Sequence, residues 1–252
     1  MSAAARGSSS PIGVQSSMLR LPQAVVFDVD GTLAETERDG HRVAFNEAFA
    51  AEGVDLHWDV ERYRELLAVT GGRERVVHAL REQGTPDADA VAARVHRTKT
   101  ELFVDVVRRG EIDPRPGVRD LVGDLHAHGV RVAVATTGRR AWVEPLVAHL
   151  LGADAVEITV CGDDVATLKP DPEAYLLALR RLGLDAAGVV AVEDSGPGLA
   201  AARAAGLVTV VVTNPDTAHH DVGDAAVVRE AFDRPTPLTA AALGDVLTGA
   251  RP

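Results

Sequence analysis

The sequence is poor in cysteine, lysine and aromatic residues. Its single cysteine, Cys161, cannot form an internal disulfide, which suits a reducing compartment such as the cytoplasm. No apolar run reaches the roughly 18 residues that cross a membrane, so we expect no membrane partner. The net charge of -11 argues against nucleic acid, whose binding surfaces are basic. A chain this acidic needs a metal ion or local cations wherever it binds an anion.

Apolar residues are abundant, at 46% of 252 residues, which is enough to bury a core. Short runs rich in β-formers predict strands at 24–27, 130–135, 189–192 and 208–212, with weaker candidates at 156–160 and 225–228. Helical spacing separates them, at 115–128, 172–182 and 198–205. This alternation predicts an α/β fold, a Rossmann-like doubly wound parallel sheet with helices on both faces.

Residues 37–112 are different, because they contain amphipathic helical segments broken by Gly and Pro and no convincing strand. We interpret them as an α-helical domain inserted after the first strand. The predicted core domain then comprises residues 21–36 and 113–252. Residues 1–20 are small and polar, and we expect them to form a disordered extension.

Polar residues follow the predicted strands. The carboxyl ends of parallel strands meet at one edge of a sheet, where ligands bind. That edge should collect Asp28, Asp30, Thr136, Thr137, Gly138, Lys169, Glu193 and Asp194.

Several carboxylates on one edge repel each other, and a bound divalent cation removes that repulsion. Mg²⁺ prefers hard oxygen ligands, usually a few carboxylates together with water and substrate phosphate. Asp28, Asp30 and Asp194 are the predicted ligand set, with Glu193 as a ligand or a supporting neighbour.

Asp28 and Asp30 are two residues apart, so in an extended chain they point the same way. One carboxylate can then attack phosphorus while the other handles the proton. Thr136 can donate to a phosphoryl oxygen, with Thr137 and Gly138 as further substrate contacts. Lysine occurs only at positions 99 and 169 among 26 basic residues, so its use at Lys169 indicates a need for a compact charge.

These motifs allow other interpretations. A calcium loop starting at Asp28 would need an acid or amide at its fifth position and Gly at its sixth, where Thr32 and Leu33 stand. Residues 196–201 match the GxGxxA dinucleotide fingerprint, so a dinucleotide-binding oxidoreductase is an alternative, although Glu193 and Asp194 would oppose a pyrophosphate. The adjacent histidines at 219 and 220 could bind a transition metal or belong to a surface loop.

Four segments together resemble the haloacid dehalogenase superfamily of phosphohydrolases. They are DVDGT (28–32), VATT (134–137), LKPDP (168–172) and VEDSGPG (192–198). The resemblance implies that Asp28 is the nucleophile and Asp30 the acid/base. It also implies that Thr136 and Lys169 contact the phosphoryl group. Magnesium would lie among Asp28, Asp194 and the backbone carbonyl of Asp30.

The helical insert is similar to the cap of the β-phosphoglucomutase-like subfamily, and more specifically it resembles that of CbbY-type sugar-bisphosphate phosphatases. The segments that carry this likeness are LAETE (33–37), HRVAFNEAF (41–49), YRELLAVTGGRER (63–75) and HRTKTELF (96–103). The resemblance implies a phosphatase for small sugar phosphates or bisphosphates, xylulose-1,5-bisphosphate among them, and we expect a monomer. A β-phosphoglucomutase-like phosphomutase is the alternative.

A cap of this kind should close over the core and contribute substrate contacts. A second phosphate would need cations there, and Arg73 and Arg75, on the loop that includes Gly72, are the predicted ones. Arg73 stands where the resemblance leads us to expect Lys. The further predicted sugar contacts are Glu35, His41, Asn46 and Lys99.

Overall fold

The computed structural model describes residues 21–67, 69 and 71–249, so the predicted disordered extension lies outside the described residues. The described strands form one six-stranded sheet in the order β3-β2-β1-β4-β5-β6, and every neighbouring pair is parallel. The strands are β1 (Ala24–Phe27), β2 (Arg131–Ala135), β3 (Ile158–Val160), β4 (Val189–Glu193), β5 (Val208–Val212) and β6 (Val227–Arg229). The predicted fold class is confirmed, and the two weaker strand candidates form short strands.

Helices cover both faces of the sheet, which explains why its strands are apolar throughout rather than alternating. In β1, Val25 and Phe27 contribute to one core cluster while Ala24 and Val26 contribute to the other. The first face packs against α5 (Val118–Ala127), α6 (Arg140–Leu151) and α9 (Ala240–Thr248). The second face packs against α7 (Glu173–Leu182) and α8 (Gly196–Ala204).

The described part of residues 37–112 is helical. It begins with a π-helical turn, Glu37–His41, followed by α1 (Arg42–Ala51), α2 (Val60–Leu66), α3 (Gly72–Glu82) and α4 (Ala88–Arg108). These helices bury a cluster of their own, apart from the two sheet clusters. In it, four aromatic side chains have ring centroids 4.7 to 6.2 Å apart, namely Phe45, Phe49, Trp58 and Tyr63. The carboxyl-terminal half of α4 joins the insert to the sheet core through Phe103.

Two neighbouring chain segments connect the insert to the sheet. Ala34, on the outgoing segment, forms an antiparallel bridge with Pro114 on the returning one. The backbone N–H of Arg115 donates to the carbonyl of Leu33 at 2.9 Å. Both connections therefore leave the sheet at the same point, directly beyond β1. In the part of the chain that the structure describes, none of the helices is long and apolar enough to cross a bilayer.

Candidate active site

The site forms where the strand order reverses. The chain runs from β1 outward to β2 and β3, then returns to β4 on the other side of β1. In the parallel register Phe27 lies beside Val192, so the next residues, Asp28 and Glu193, are neighbours too. The N–H of Asp28 donates to the Val192 carbonyl at 3.0 Å. The crevice at such a switch point is where open α/β sheets bind ligands.

Three buried carboxylates meet in this crevice, those of Asp28, Glu193 and Asp194, with ligand oxygens all within 4.8 Å of one another. Lys169 contacts two of them. Its Nζ lies 2.6 Å from Asp28 Oδ1 and 2.6 Å from Glu193 Oε1. One ammonium among three carboxylates leaves two negative charges uncompensated.

Burial, together with the excess negative charge, shifts the pKa values of this cluster. Burial, reinforced by Glu193, raises the pKa of Asp194 to about 7. Burial also raises the pKa of Asp28 well above its usual range, although Lys169 opposes this shift. Burial alone would lower the pKa of Lys169, but Asp28 and Glu193 outweigh it and raise this pKa above its ordinary value. The two carboxylates therefore favour the ammonium form of Lys169.

The donor set fits a hard divalent cation. Two units of positive charge would neutralise the cluster, and carboxylate oxygens are the ligands that such ions prefer. Asn214 Nδ2 donates to Asp194 Oδ2 at 2.8 Å, which fixes the orientation of that carboxylate. Asp28, Asp194 and Glu193 could therefore hold a metal ion. The Asp30 carboxylate is not in this cluster. Its metal contact, which the resemblance places on the backbone carbonyl, stays a prediction.

Asp30 faces the insert instead. Its Oδ1 accepts a short hydrogen bond from the Thr36 hydroxyl and lies 3.8 Å from His41 Nε2. Burial raises its pKa to about 6, against the opposing effect of the Thr36 hydrogen bond. Asp28 and Asp30 thus have different surroundings, one beside an ammonium and the other beside a hydroxyl. A carboxyl with a pKa near neutrality is suited to giving and taking a proton.

A His41–Lys99 pair, in which Lys99 is buried and His41 partly buried, lies behind Asp30. Lys99 Nζ is 3.0 Å from His41 Nδ1 and lies over the rings of Phe45 and Phe103. Burial, then the charge of Lys99, lowers the pKa of His41 well below its usual value. Burial also lowers the pKa of Lys99 to about 8. A neutral His41 accepts from Lys99 through Nδ1, so its Nε2–H is directed at Asp30.

The residues after β2 form the other side of the crevice. Thr136 is buried, and its Oγ1 accepts the N–H of Gly138 at 3.0 Å, which leaves the hydroxyl proton free to be donated. Thr137 is exposed and lines the cleft. A side chain at Gly138 would collide with Trp142, so the tight turn there requires glycine.

A cleft of about 680 Å³ opens above the carboxylates, between the sheet edge and the insert. Its lining from the insert side includes Glu37, Arg64, Glu65 and Leu67. Among the described residues, its lining contains two Lys or Arg side chains, Arg64 and Lys169. Arg64 Nε contacts Asp216 Oδ1 at 2.8 Å across the cleft.

The predicted cap contacts divide into two groups. Glu35 lines the cleft, and Arg75 lies close to it, with Nη1 3.5 Å from Glu37 and 3.1 Å from the Tyr63 hydroxyl. Asn46 is instead bonded to the backbone of Trp58 in both directions, at 2.8 Å each.

Arg73 is 44% exposed and lies 3.5 Å from Asp89, beside a separate small cleft of the insert. Gly72 begins α3, and a Cβ there would lie 3.1 Å from the Phe45 ring. Asn46, Gly72 and Arg73 are absent from the lining of the main cleft as the structure describes it. Their substrate contacts stay predictions.

Three residues that contribute to the site were not predicted from the sequence. The Tyr175 hydroxyl donates to Glu193 Oε1 at 2.6 Å, Asn214 orients Asp194, and Glu37 projects into the cleft. Asn214 could have been found, because it follows β5 as the acids follow β1 and β4. Tyr175 and Glu37 lie on helical turns, where the sequence gives no comparable positional signal.

The alternative motifs have specific surroundings in the structure. A Cβ at Gly198 would overlap the carboxylate of Glu193, so an acid occupies the space that a pyrophosphate needs at a dinucleotide fingerprint. His219 and His220 line the cleft with rings in a T-shaped contact, and His220 Nδ1 accepts the Gly196 N–H at 3.3 Å. That hydrogen bond occupies Nδ1 of His220, so this nitrogen is not free to bind a transition metal.

Comparison with known proteins identifies the family. A profile of haloacid dehalogenase-like hydrolases matches residues 22–206. The chain belongs to this family. The predictions of the family and of a hydrolase are thereby confirmed. Protein CbbY of Cereibacter sphaeroides is 47% identical over 213 residues, which cover 83% of this chain and 92% of that protein.

Two crystal structures of CbbY from Rhodobacter sphaeroides superpose on this haloacid dehalogenase-like hydrolase. The complex with phosphate has a TM-score of 0.76 at 44% identity, covering 88% of this chain and 99% of that chain. A point mutant in complex with xylulose-1,5-bisphosphate has a TM-score of 0.75 at 43% identity, with the same coverage of both chains.

Proposed function

We propose that this chain is a magnesium-dependent phosphatase for a small sugar phosphate or bisphosphate, with xylulose-1,5-bisphosphate the first candidate. The observation that carries this proposal is the arrangement of Asp28, paired with Lys169 and flanked by Glu193 and Asp194, beneath a cleft that also contains Asp30. The similarity to CbbY, which has been crystallised with that bisphosphate, supports the choice of substrate.

The side chains divide the reaction between them. The Asp28 carboxylate forms a bond to phosphorus as the bond from phosphorus to the ester oxygen breaks. Lys169 keeps Asp28 oriented and compensates charge on the phosphoryl oxygens. Asp30 gives its proton to the departing alkoxide, and later removes a proton from the water that cleaves the aspartyl-phosphate. Thr136 donates its hydroxyl proton to a phosphoryl oxygen.

Asp28, Asp194 and Glu193, with the Asp30 backbone, would hold Mg²⁺, which screens the phosphate from the surrounding acids when bound. Lys169 pairs with Asp28 and Glu193, and the excess negative charge of the three carboxylates matches a divalent ion. Asn214 supports the arrangement from outside by holding Asp194.

Residues 37–112 would act as a cap, with residues 21–36 and 113–252 as the core. The location of the cleft between the two parts supports this division. The cation for a second phosphate would come from the insert, and Arg64 now joins Arg73 and Arg75 as a candidate because it lines the cleft. A monomeric, cytoplasmic enzyme without nucleic-acid or membrane partners stays a prediction from the sequence.

A panel of sugar phosphates that includes ketopentose bisphosphates tests the proposal. We expect Mg²⁺-dependent phosphate release, and we expect Asp28→Asn to lower kcat at least about a thousandfold, because the nucleophile is lost. Phosphate release and circular dichroism measure activity and folding. Turnover of the Asp28→Asn variant near the wild-type rate would refute the proposed nucleophile. Isomerisation of β-glucose 1-phosphate without net phosphate release would favour the phosphomutase alternative.

A further inference from the structure

Arg115 is a buried cation with an unusual number of partners. Its side chain is 7% exposed, and it lies on the returning connection between the insert and the sheet. Its Nη1 donates to the carbonyls of Gly31 at 2.5 Å and Val212 at 2.9 Å, and its Nη2 donates to the carbonyl of Thr213 at 2.7 Å. Its Nε lies 3.2 Å from Glu35 Oε1.

The contact with Gly31 reaches the reacting groups. Gly31 directly follows Asp30 and has a φ of 78°, a conformation that glycine adopts without strain. A Cβ at this position would overlap the Asp194 carboxylate, so the Gly31 backbone packs directly against the acid cluster. The Gly31 carbonyl accepts from Arg115 and also from Asn214 Nδ2, at 3.1 Å. Two donors therefore fix the direction of this peptide.

The same guanidinium ties both connections of the insert to that peptide. Glu35 belongs to the outgoing connection and Arg115 to the returning one, while Val212 ends β5 and Thr213 directly follows it. Arg115 therefore contacts both the connections of the insert and the loop that bears Asp28 and Asp30, so a displacement of the insert would be transmitted through it. A contiguous set of hydrogen bonds of this kind can couple two regions.

We propose that Arg115 is a positioning residue for phosphoryl transfer, which holds the Gly31 peptide so that Asp28, Asp30 and Asp194 keep their mutual geometry while the insert moves. This inference rests on the proposed function. Arg115 touches neither the cleft above the carboxylates nor the reacting atoms, and it acts through Gly31 and Glu35.

A role limited to filling the core would not need this residue. Removing a charge from water costs free energy that only good partners recover, so an apolar side chain would serve a purely structural purpose better. Five N–H groups in a planar fork match the several carbonyls and the carboxylate around Arg115. Lysine, with a single nitrogen, cannot reach Gly31, Thr213 and Glu35 together.

The test compares Arg115→Ala and Arg115→Lys with Arg119→Ala. Arg119 is the control for bonding to backbone carbonyls, because its exposed guanidinium donates to those of Leu150 at 2.7 Å and His149 at 3.4 Å, away from the site. We expect both Arg115 variants to lose about 10- to 100-fold in kcat and in Mg²⁺ affinity measured by calorimetry, as for other residues that orient metal ligands. Arg119→Ala should keep the wild-type kcat and Mg²⁺ affinity.

Chemical rescue separates positioning from folding. Arg115 borders a small cleft of about 180 Å³, which gives a free guanidinium ion a path to the vacated site. Millimolar guanidinium should restore kcat of Arg115→Ala severalfold, whereas urea and sodium chloride at the same concentration should not. If Arg115→Ala fails to fold, Arg115→Lys alone tests the proposal. We then expect lower kcat and weaker Mg²⁺ affinity with an unchanged melting temperature.

Wild-type kcat and Mg²⁺ affinity in a folded Arg115 variant would overturn the proposal, and so would equal losses in the Arg119 control. If the wild-type chain released no phosphate from any ester, the proposed function would fail by itself. Mg²⁺ affinity and amide exchange of residues 28–34 would still test the positioning role, because neither depends on turnover. Faster exchange there in Arg115→Lys is the expected result.

Discussion

The sheet edge and the helical insert use their charged residues differently. At the sheet edge, Lys169 is 5% exposed and lies between two carboxylates at 2.6 Å each. In the insert, Arg73 is 44% exposed and has a carboxylate at 3.5 Å. The carboxyl ends of parallel strands lie along one edge of the sheet, so the residues that follow neighbouring strands lie close together. A helix distributes its side chains around an axis, and packing alone decides which face meets the cleft.

The sharpest test of this contrast makes matched swaps between lysine and arginine in the two regions. Lys169→Arg should lower kcat about a hundredfold, because a planar fork does not fit between Asp28 and Glu193. Arg73→Lys should leave kcat unchanged. Initial rates of phosphate release measure both. Equal losses in the two variants would mean that the regions do not differ in this way.

Mg²⁺ and pH should change the stability of the protein through the carboxylates at the sheet edge. The pKa of Asp194 rises from 3.8 to about 7, first through burial, so the folded metal-free protein binds this proton more tightly than the unfolded chain does. The contribution of this proton to the free energy of unfolding is fully present below pH 3.8 and is lost as the pH rises through about 7. Mg²⁺ replaces the proton, so it should raise the melting temperature by several degrees more at about pH 8 than at about pH 5.

Asp194→Asn is the control for that experiment. It keeps the size of the side chain and removes the titrating proton, so it should reduce both the pH dependence of the metal-free protein and the Mg²⁺ effect. Scanning calorimetry with and without Mg²⁺ provides the measurement. An Mg²⁺ effect of the same size at both pH values would contradict the assignment of the cation site.

Within the insert, Asn46 should matter for stability rather than chemistry. Asn46→Ala removes two hydrogen bonds to the Trp58 backbone, and we expect the free energy of unfolding to fall by about 1–3 kcal/mol. Arg73→Ala, on the surface, should change it by less than about 0.5 kcal/mol. Urea denaturation measures both. A rise in KM for the bisphosphate without loss of stability in Asn46→Ala would instead support the predicted substrate contact of Asn46.

The smallest expected effect concerns the contact that spans the cleft. Arg64 is 42% exposed, so its ion pair with Asp216 should contribute only about 0.2–1 kcal/mol. A double-mutant cycle with Arg64→Ala and Asp216→Asn, read at low and high salt, measures this coupling. Coupling that does not weaken with salt would show that the pair is more buried than the geometry indicates. A larger rise in KM for bisphosphates than for monophosphates in Arg64→Ala would assign Arg64 to the second phosphate.

The sequence predicts the sheet and its edge well because both follow from local patterns. Asp28 and Glu193 meet because their strands are in register, and the strands are visible as apolar runs. The sequence does not predict that Asn46 bonds the Trp58 backbone or that Arg73 faces Asp89, since these depend on how helices dock. It also missed the π-helical turn Glu37–His41, in which a buried Gly40 packs against Phe103.

The aromatic cluster of the insert has an evolutionary consequence. Because Phe45, Phe49, Trp58 and Tyr63 bury each other rather than the sheet, the insert obtains much of its stability from its own side chains. Its outer loops can then diverge without disturbing the strands that hold the carboxylates. Selection can thus exchange one sugar for another while the machinery that breaks the phosphate ester is inherited intact.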